Sequence, residues 1–459
     1  LCPHPICQSS QAHPARAVSD NEELRVLLIS TYDLGRQPFG LASPAAWLRA
    51  DGHEVTAVDV SRTRLNHSTF TEMDWVAFHL PMHTASRMAL PWIANVRRVN
   101  PAARICCYGL YAPVNAEMLR AHGVTHIIGG EFEQALADLI AGRNPKPLPV
   151  VLDRLRFAVP DRSGLAPLNK YAKLLHNGER KVVGYTEASR GCKHLCRHCP
   201  IVPVYEGRFR IVARDVVLAD VRQQVKAGAQ HITFGDPDFF NGPGHAIPIV
   251  ESLHAEFPDL TYDVTVKVEH LLQHRDAVAT LARTGCLFVT TAVESLDNAV
   301  LARLAKGHTR ADFVQALELM RWSGLTMLPT FVAFTPWTTR EAYLDLLRAI
   351  RDLDLIENVA PVQLAIRLLI PAGSKLLELS DLEVEAFDPA ALTYRWKHPD
   401  AEMDRLCSDL LKIVREADKR GSGRSETFGL IWERACGTFP DFMLPARATV
   451  PYLTEPWYC

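Results

Sequence analysis

"KVVGYTEASRGCKHLCRHCP", Lys181 to Pro200, sets a strand directly against a cysteine loop. "KVVGYTE" has the apolar, β-branched character of a strand. The loop that follows spaces Cys192, Cys196 and Cys199 as CxxxCxxC, three of the chain's eleven cysteines. A zinc knuckle needs two pairs of ligands, the second downstream. No fourth cysteine follows at that distance, and His194 and His198 are the residues that would complete a zinc site instead. An odd cysteine total with no regular framework argues against a disulfide scaffold. Three thiolates on an iron–sulfur cube leave one iron without a protein ligand, which makes that iron a coordination site for a small molecule.

Downstream, strand and helix patterns alternate. "DVVLADVRQQVKAG" reads as a helix. "AQHITFGDPDF", "LTYDVTVKV", "CLFVTTAVES", "LTMLPTFVAFTP" and "VQLAIRLLIP" read as strands with helical patterns between them. With "KVVGYTE" they make six strands of a partial β/α barrel over residues 181–375, about two units short of a closed one. Upstream, "LRVLLIS", "HEVTAVDVS", "MDWVAFHL", "ARICCYGLY" and "VTHIIGG" alternate with helical segments. This rhythm predicts a doubly wound parallel-sheet domain over residues 23–145. Ligands on such folds bind beyond the carboxyl ends of the strands, here the loops Thr31–Gly40, Pro81–Ser86, Tyr108–Tyr111 and Gly129–Gly130. Residues 146–180 read as a proline-rich linker, and 376–459 as a mixed extension with one clear helix, "DAEMDRLCSDLLKIVREADKR". The fold class is α/β throughout.

An apolar fraction of 48%, a charged fraction of 22% and a formal charge of −2 describe a folded chain. They give no basic field of the kind a nucleic acid attracts. No apolar run reaches bilayer length, and the first twenty residues lack the order of a signal peptide. Residues 1–22 read as a leader, and the start at Leu1 as that of a fragment or an alternative start. The expectation is a cytoplasmic, reducing location with neither membrane nor nucleic-acid partners. Adjacent Cys106 and Cys107 read as buried core or as a redox or ligand pair.

CxxxCxxC after the first strand of a β/α barrel resembles the radical S-adenosylmethionine (SAM) superfamily. The resemblance implies a [4Fe–4S] cluster on Cys192, Cys196 and Cys199. It further implies SAM chelated to the open iron, reductive cleavage of a carbon–sulfur bond, and a one-electron donor such as flavodoxin or ferredoxin. Gly235 and Asp236 of "TFGDPDF" fall where the family places a backbone edge for the methionine amino group, although Asp236 and Asp238 equally suit a helix cap. Lys267 and Glu269 end the third strand, and Glu294 and Ser295 the fourth, like family cofactor contacts. Arg367, on a late apolar strand, needs a carboxylate or a ligand and is a cofactor-binding and catalytic candidate. Thr265, Thr290 and Thr291 read as core.

By fold and domain order, residues 23–145 resemble the cobalamin-binding domain fused in front of some of these barrels. Cobalamin is thus a candidate third cofactor. The Asp-x-His-x-x-Gly motif for an axial histidine is missing, "TYDLGRQPFG" standing in its place, and His79 and His83 are weaker ligand candidates. "YLTEPWYC", Tyr452 to Cys459, resembles the approach to a tail of adjacent cysteines, or cysteine and selenocysteine, followed by Ala-Glu-Pro. A selenocysteine codon after Cys459 would end an ordinary translation there. Some proteins resembling that subgroup are associated with synthesis of the arsinothricin precursor. The main expectation is a radical SAM enzyme transferring an alkyl group or radical to a small molecule. The alternatives are 3-amino-3-carboxypropyl transfer to trivalent arsenic, with Cys459 as catalytic acceptor site and Cys436 or Cys407 beside it; cobalamin-dependent methylation; and a non-catalytic iron–sulfur sensor.

Overall fold

The computed structural model describes residues 23–143, 149–440 and 450–454. Cys2, Cys7 and Cys459 lie outside the described residues. The first sheet contains β1 (Arg25–Ser30), β2 (Glu54–Asp59), β3 (Trp75–His79), β4 (Arg104–Tyr108) and β5 (His126–Gly130), with the short β6 (Val150–Val151) on its edge. All pairings are parallel, in the order β2-β1-β3-β4-β5-β6. Successive strand side chains face opposite sides of a sheet, so Leu27 and Ile29 enter one core while Val26 and Leu28 enter the other. Both faces are covered, which is why these strands are apolar throughout. The same alternation separates Cys106 from Cys107. Each is fully buried, on opposite faces, and both are core residues.

The second sheet begins inside the stretch read as linker. β7 (Lys173–His176) and β8 (Glu179–Thr186) form a hairpin through Asn177 and Gly178. Both turn residues have positive φ, 50° and 81°, and Asn-Gly tolerates that conformation better than other pairs. β9 (Ser189–Gly191) and β10 (Phe209–Ile211) form a separate antiparallel ribbon that brackets the cysteine loop. β11 (His231–Phe234), β12 (Thr261–Thr265), β13 (Cys286–Glu294) and β14 (Thr326–Phe331) then continue from β8 in parallel, each pair joined through helices. This is the expected partial barrel, with one correction. "VQLAIRLLIP" is not a sixth strand: it is a 3-10 turn at Pro361–Leu364 and a single bridge from Phe334 to Arg367. Pro361 brings no N–H, and the Gln363 side chain accepts the Phe331 N–H at 3.1 Å, where a strand would offer a carbonyl.

A small ribbon, β15 (Phe387–Asp388) with β16 (Thr393–Tyr394), precedes the helices Ala401–Arg420 and Arg424–Cys436. Met403, Leu406 and Leu410 of the first helix join Val362 and Leu364 in the barrel core, closing the side where further strands are missing. β17 (Tyr452–Leu453) returns to pair antiparallel with β7, completing the order β14-β13-β12-β11-β8-β7-β17. Among the described residues, no helix is long and apolar enough to cross a membrane.

Candidate functional site

The cysteine loop is held at its start and its middle. The Cys192 N–H donates to Arg208 O at 3.1 Å, and Gly191, at φ +74°, leaves no room for a Cβ, which would lie 2.5 Å from that carbonyl. Asn241 clamps the entry: its Oδ1 accepts from Lys193 N (3.0 Å) and its Nδ2 donates to Gly191 O (3.3 Å). Arg197 fixes the middle through its N–H to Leu304 O and its guanidinium to Arg303 O, both at 2.9 Å. Cys192 and Cys196 are 8% and 6% exposed, and Cys199 is half-buried. All three are free thiols. Burial pushes Cys192 up to about 11 and Cys199 to about 12. Thiolates at these positions therefore need positive charge beside them. Three soft donors on one rigid loop fit an iron–sulfur cluster. Lys267 places its Nζ 3.8 Å from Cys196 Sγ.

Both loop histidines are engaged with the barrel. His194 Nε2 lies 3.2 Å from His270 Nε2, and His270 Nδ1 lies 2.6 Å from Asp238 Oδ2. His194 Nδ1 faces Glu269 Oε2 at 3.5 Å, which in turn lies 3.6 Å from Lys267 Nζ. On the other side His198 Nε2 sits 3.1 Å from Glu294 Oε1, which also accepts from Lys306 Nζ at 3.3 Å. Lys267, Glu269 and Glu294 are thus gathered around the loop. Lys306 was not legible beforehand, because its partner lies twelve residues back across a strand–helix turn.

Glu294 occupies φ +70° at a register shift in the β13–β14 pairing, a strained backbone for a residue with a side chain. Burial alone would raise its carboxyl, but Lys306 and His198 overcome that and hold it at about 2. A carboxylate lowered from 4.5 in this way adds stability above pH 4.5 and loses it as pH falls from 4.5 toward 2. The gap corresponds to about 3 kcal/mol. The stability difference between wild type and Glu294→Gln, from denaturant titrations, should shrink by that order between pH 6 and pH 2.5. A difference independent of pH would contradict the pairing.

The remaining predicted positions have defined places. A Cβ on Gly235 would meet the Tyr185 hydroxyl at 1.8 Å, so the backbone there lies against that ring. Asp236 braces the start of the loop, accepting from Ala188 N at 2.9 Å and Ser189 Oγ at 2.5 Å. Asp238, not Asp236, makes the capping contact, to Phe240 N at 3.2 Å. Ser295 Oγ accepts from Asp297 N in a local turn. Arg367 has the carboxylate its sequence position asked for: it pairs with Asp404 at 2.8 Å, donates to Trp396 O and stacks 3.8 Å over the Trp396 ring. Cys407 is core and donates to Ala365 O at 3.4 Å, and half-buried Cys436 ends the last helix. Thr291 is fully buried, whereas Thr265 and Thr290 line a cavity in the barrel, not its core.

A cleft of about 200 Å³ lies between the two sheets. Leu34 and Gly109, beyond the carboxyl ends of β1 and β4, and His79 and Gly130, which end β3 and β5, form one wall. Tyr185, Arg190, Gly191 and Gly235 form the other. A strand order of 2-1-3-4-5 places its switch point between β1 and β3, where ligands of such folds sit. His83 donates Nε2 to Ala391 O at 2.6 Å and is satisfied. His79 is not: its Nδ1 is buried without a partner, and burial, with Arg190 nearby, keeps the ring neutral at a pKa of about 3. Five glycines (40, 109, 130, 191 and 235) and an orphaned neutral imidazole suit the close approach of a flat cofactor such as cobalamin, although the cleft admits only part of one without widening. Gly40→Ala would place a Cβ 2.1 Å from the His79 ring. We expect it to cost about 1–3 kcal/mol through overpacking, read as a lowered denaturation midpoint; an unchanged midpoint would show that His79 moves freely.

Arg190 ties the walls together. It is buried and bonds Glu187 (2.6 Å) of its own domain and Glu133 (2.6 and 2.9 Å) of the first, with Glu131 at 3.6 Å.

Residues 186–356 match the family model of the Radical SAM superfamily. The chain is 25% identical over 235 residues to tRNA-2-methylthio-N(6)-dimethylallyladenosine synthase of Chlorobium luteolum, an alignment covering 47% of this chain and 51% of that protein. The chain spans about half the length of the first curated relatives it matches. Among solved structures it is similar to the cobalamin-dependent radical enzyme OxsB with aqua-cobalamin bound, with a TM-score of 0.65 at 13% identity over 86% of this chain and 67% of that one. It is also similar to the radical SAM methyltransferase TsrM from Kitasatospora setae, bound to cobalamin and a [4Fe–4S] cluster, with a TM-score of 0.57 at 18% identity over 72% of this chain and 74% of that one. The chain thus shares the fold of these two structures, and residues 186–356 of it match the radical SAM model.

Proposed function

We propose that the chain is a radical SAM enzyme that methylates a small molecule with the help of cobalamin. The observation that carries this reading is the meeting of two sites. The cleft beyond the first sheet is walled on its far side by Ser189, Arg190, Gly191 and Tyr205, which frame the cysteine loop. A group held by the first domain therefore opens onto the loop. When bound, the cluster supplies the electron that breaks a carbon–sulfur bond of SAM, and cobalamin supplies a carrier for the methyl group.

The chain's own residues bind and position. Cys192, Cys196 and Cys199 hold the cluster, and Lys267 and Lys306 place positive charge beside its thiolates. Glu269, Lys267 and the Gly235 backbone are the proposed SAM contacts, with Ser295 at the same rim. Asp236 and Glu294 act as positioning residues, since their oxygens are committed to Ser189 and Ala188, and to His198 and Lys306. Arg190, bonded to Glu133 and Glu187, holds the two walls of the cleft together. The tRNA substrate named for the curated relatives is not carried over, because the chain covers only about half of those proteins.

The test is anaerobic incubation of the reconstituted protein with cobalamin, a one-electron reductant, candidate acceptors and SAM deuterated on its methyl group. We expect 5'-deoxyadenosine together with S-adenosylhomocysteine, and deuterium in the acceptor. Methylthioadenosine would overturn methylation and direct attention to aminocarboxypropyl transfer, including to trivalent arsenic. Intact SAM would overturn the enzyme reading in favour of a sensor.

A further inference from the structure

The barrel holds a second cavity, of about 290 Å³, which meets the cleft between the sheets at Arg36, a residue that lines both. Its inner wall is built by inward-facing residues of consecutive strands: Asp263 and Thr265 on β12, Thr290 on β13, Thr330 on β14. Its outer wall comes from the C-terminal extension, through Arg424 and Tyr452, and from the first domain, through Arg36. Three parts of the chain converge there.

Two arginines line this cavity, and neither is paired with a carboxylate, unlike several other buried cations of this protein. Arg190, Arg162 and Arg367 each have a carboxylate within 3 Å. Arg424 and Arg36 have none within salt-bridge distance among the described residues. Arg424 is half-buried, donates one N–H to Glu357 O at 2.6 Å and stacks 4.4 Å from the Tyr452 ring; the Glu357 carboxylate acts on it from beyond pairing distance and is itself bonded to Ser425. Arg36 stacks 4.8 Å over Tyr185, and its Nε is buried with no partner. The acid nearest to Arg36 in effect, Asp33, is pushed up to about 7 by burial and is a weak counter-charge. The acids of the cavity itself are elsewhere engaged or marginal. Asp263 Oδ1 accepts from His231 (2.9 Å) and Thr233 (2.6 Å), and Asp418 lies exposed at the rim. Half-buried guanidinium groups with no directly paired anion are under-satisfied, and a carboxylate or phosphate matches their planar donors.

We propose that this lumen cavity is the substrate subsite, and that it selects an anionic small molecule whose carboxylate or phosphate is held by Arg36 and Arg424. The threonine hydroxyls of β12 to β14 line the remainder and accept or donate to its polar body. The inference deepens the proposed function and rests on the barrel being the reaction chamber.

The test uses cluster-reconstituted protein and isothermal titration with inorganic phosphate and, separately, succinate, in chloride of matched ionic strength. Saturable binding of one anion per chain is expected. Phosphate binding stronger than succinate, or the reverse, identifies which group the subsite prefers. Arg424→Met and Arg36→Met should each weaken binding tenfold or more, Arg424→Lys should restore part of it, and Arg415→Gln, an exposed control, should leave it unchanged. The proposal is overturned if neither anion binds saturably, or if both methionine variants bind as wild type does. Mutually exclusive binding of SAM and the anion would also overturn it, since the arginines would then be holding the SAM carboxylate. Loss of SAM cleavage in wild type would defeat the proposed function alone, because anion binding is read without turnover.

Discussion

Cys196→Ala is expected to purify as a folded protein that holds no [4Fe–4S] cluster and cleaves no SAM. The side chain is 6% exposed and behaves structurally as a small apolar group, so its truncation should cost only about 1 kcal/mol. Its chemical role is far larger. It lies at the centre of CxxxCxxC with Lys267 Nζ 3.8 Å from its sulfur. Removing it leaves two donors on a loop whose shape is fixed by Asn241 and Arg197 rather than by metal. Iron content after anaerobic reconstitution, the visible absorption band and nucleoside release should all fall to background. Cys107→Ala, a core cysteine of the first sheet, is the matched control and should keep all three. Full iron in Cys196→Ala, or equal loss in Cys107→Ala, would contradict the assignment.

Arg190→Met is expected to be the most destabilising single substitution at the domain boundary, by about 3–5 kcal/mol. Breaking a buried ion pair from one side leaves its partner charges in a poor solvent. Here the partners are Glu133 and Glu187 in direct contact and Glu131 at 3.6 Å, and both Glu131 and Glu133 are fully buried. The guanidinium also lies within 5.4 Å of the ring centres of Phe39, Phe132 and Phe157, so methionine keeps the apolar contacts and removes only the charge. Adding Glu133→Gln should recover part of the loss. Additive costs in that double variant, measured by denaturant unfolding, would show that the two side chains act independently.

Local chemistry explains what was legible in the sequence. The cysteine loop is nine residues long and its spacing is independent of the rest of the fold. β1, β3 and β4 of the first sheet are apolar on two faces, which is visible without any contact information. What the sequence hid depends on distance. Arg190 and Glu133 are separated by 57 residues, and neither carries a motif. Lys306 becomes part of the loop's surroundings only once Glu294 has turned out of β13 at positive φ. The sixth strand failed because "VQLAIRLLIP" has strand composition, yet Pro361 and the Gln363 side chain replace the ladder. β7 escaped because it is four residues long, although Asn177-Gly178 announced its hairpin. Thr265 and Thr290 read as core because alternation alone does not distinguish a packed barrel interior from a hollow one.

Electron paramagnetic resonance of the anaerobically reconstituted, reduced protein, recorded with and without SAM, tests the central claim most directly. Three cysteines on one loop leave one iron open, so the spectrum should be that of a reduced [4Fe–4S] cluster, and it should change when SAM binds that iron. A spectrum identical with and without SAM, or a loop that takes up zinc and no iron, would contradict the account.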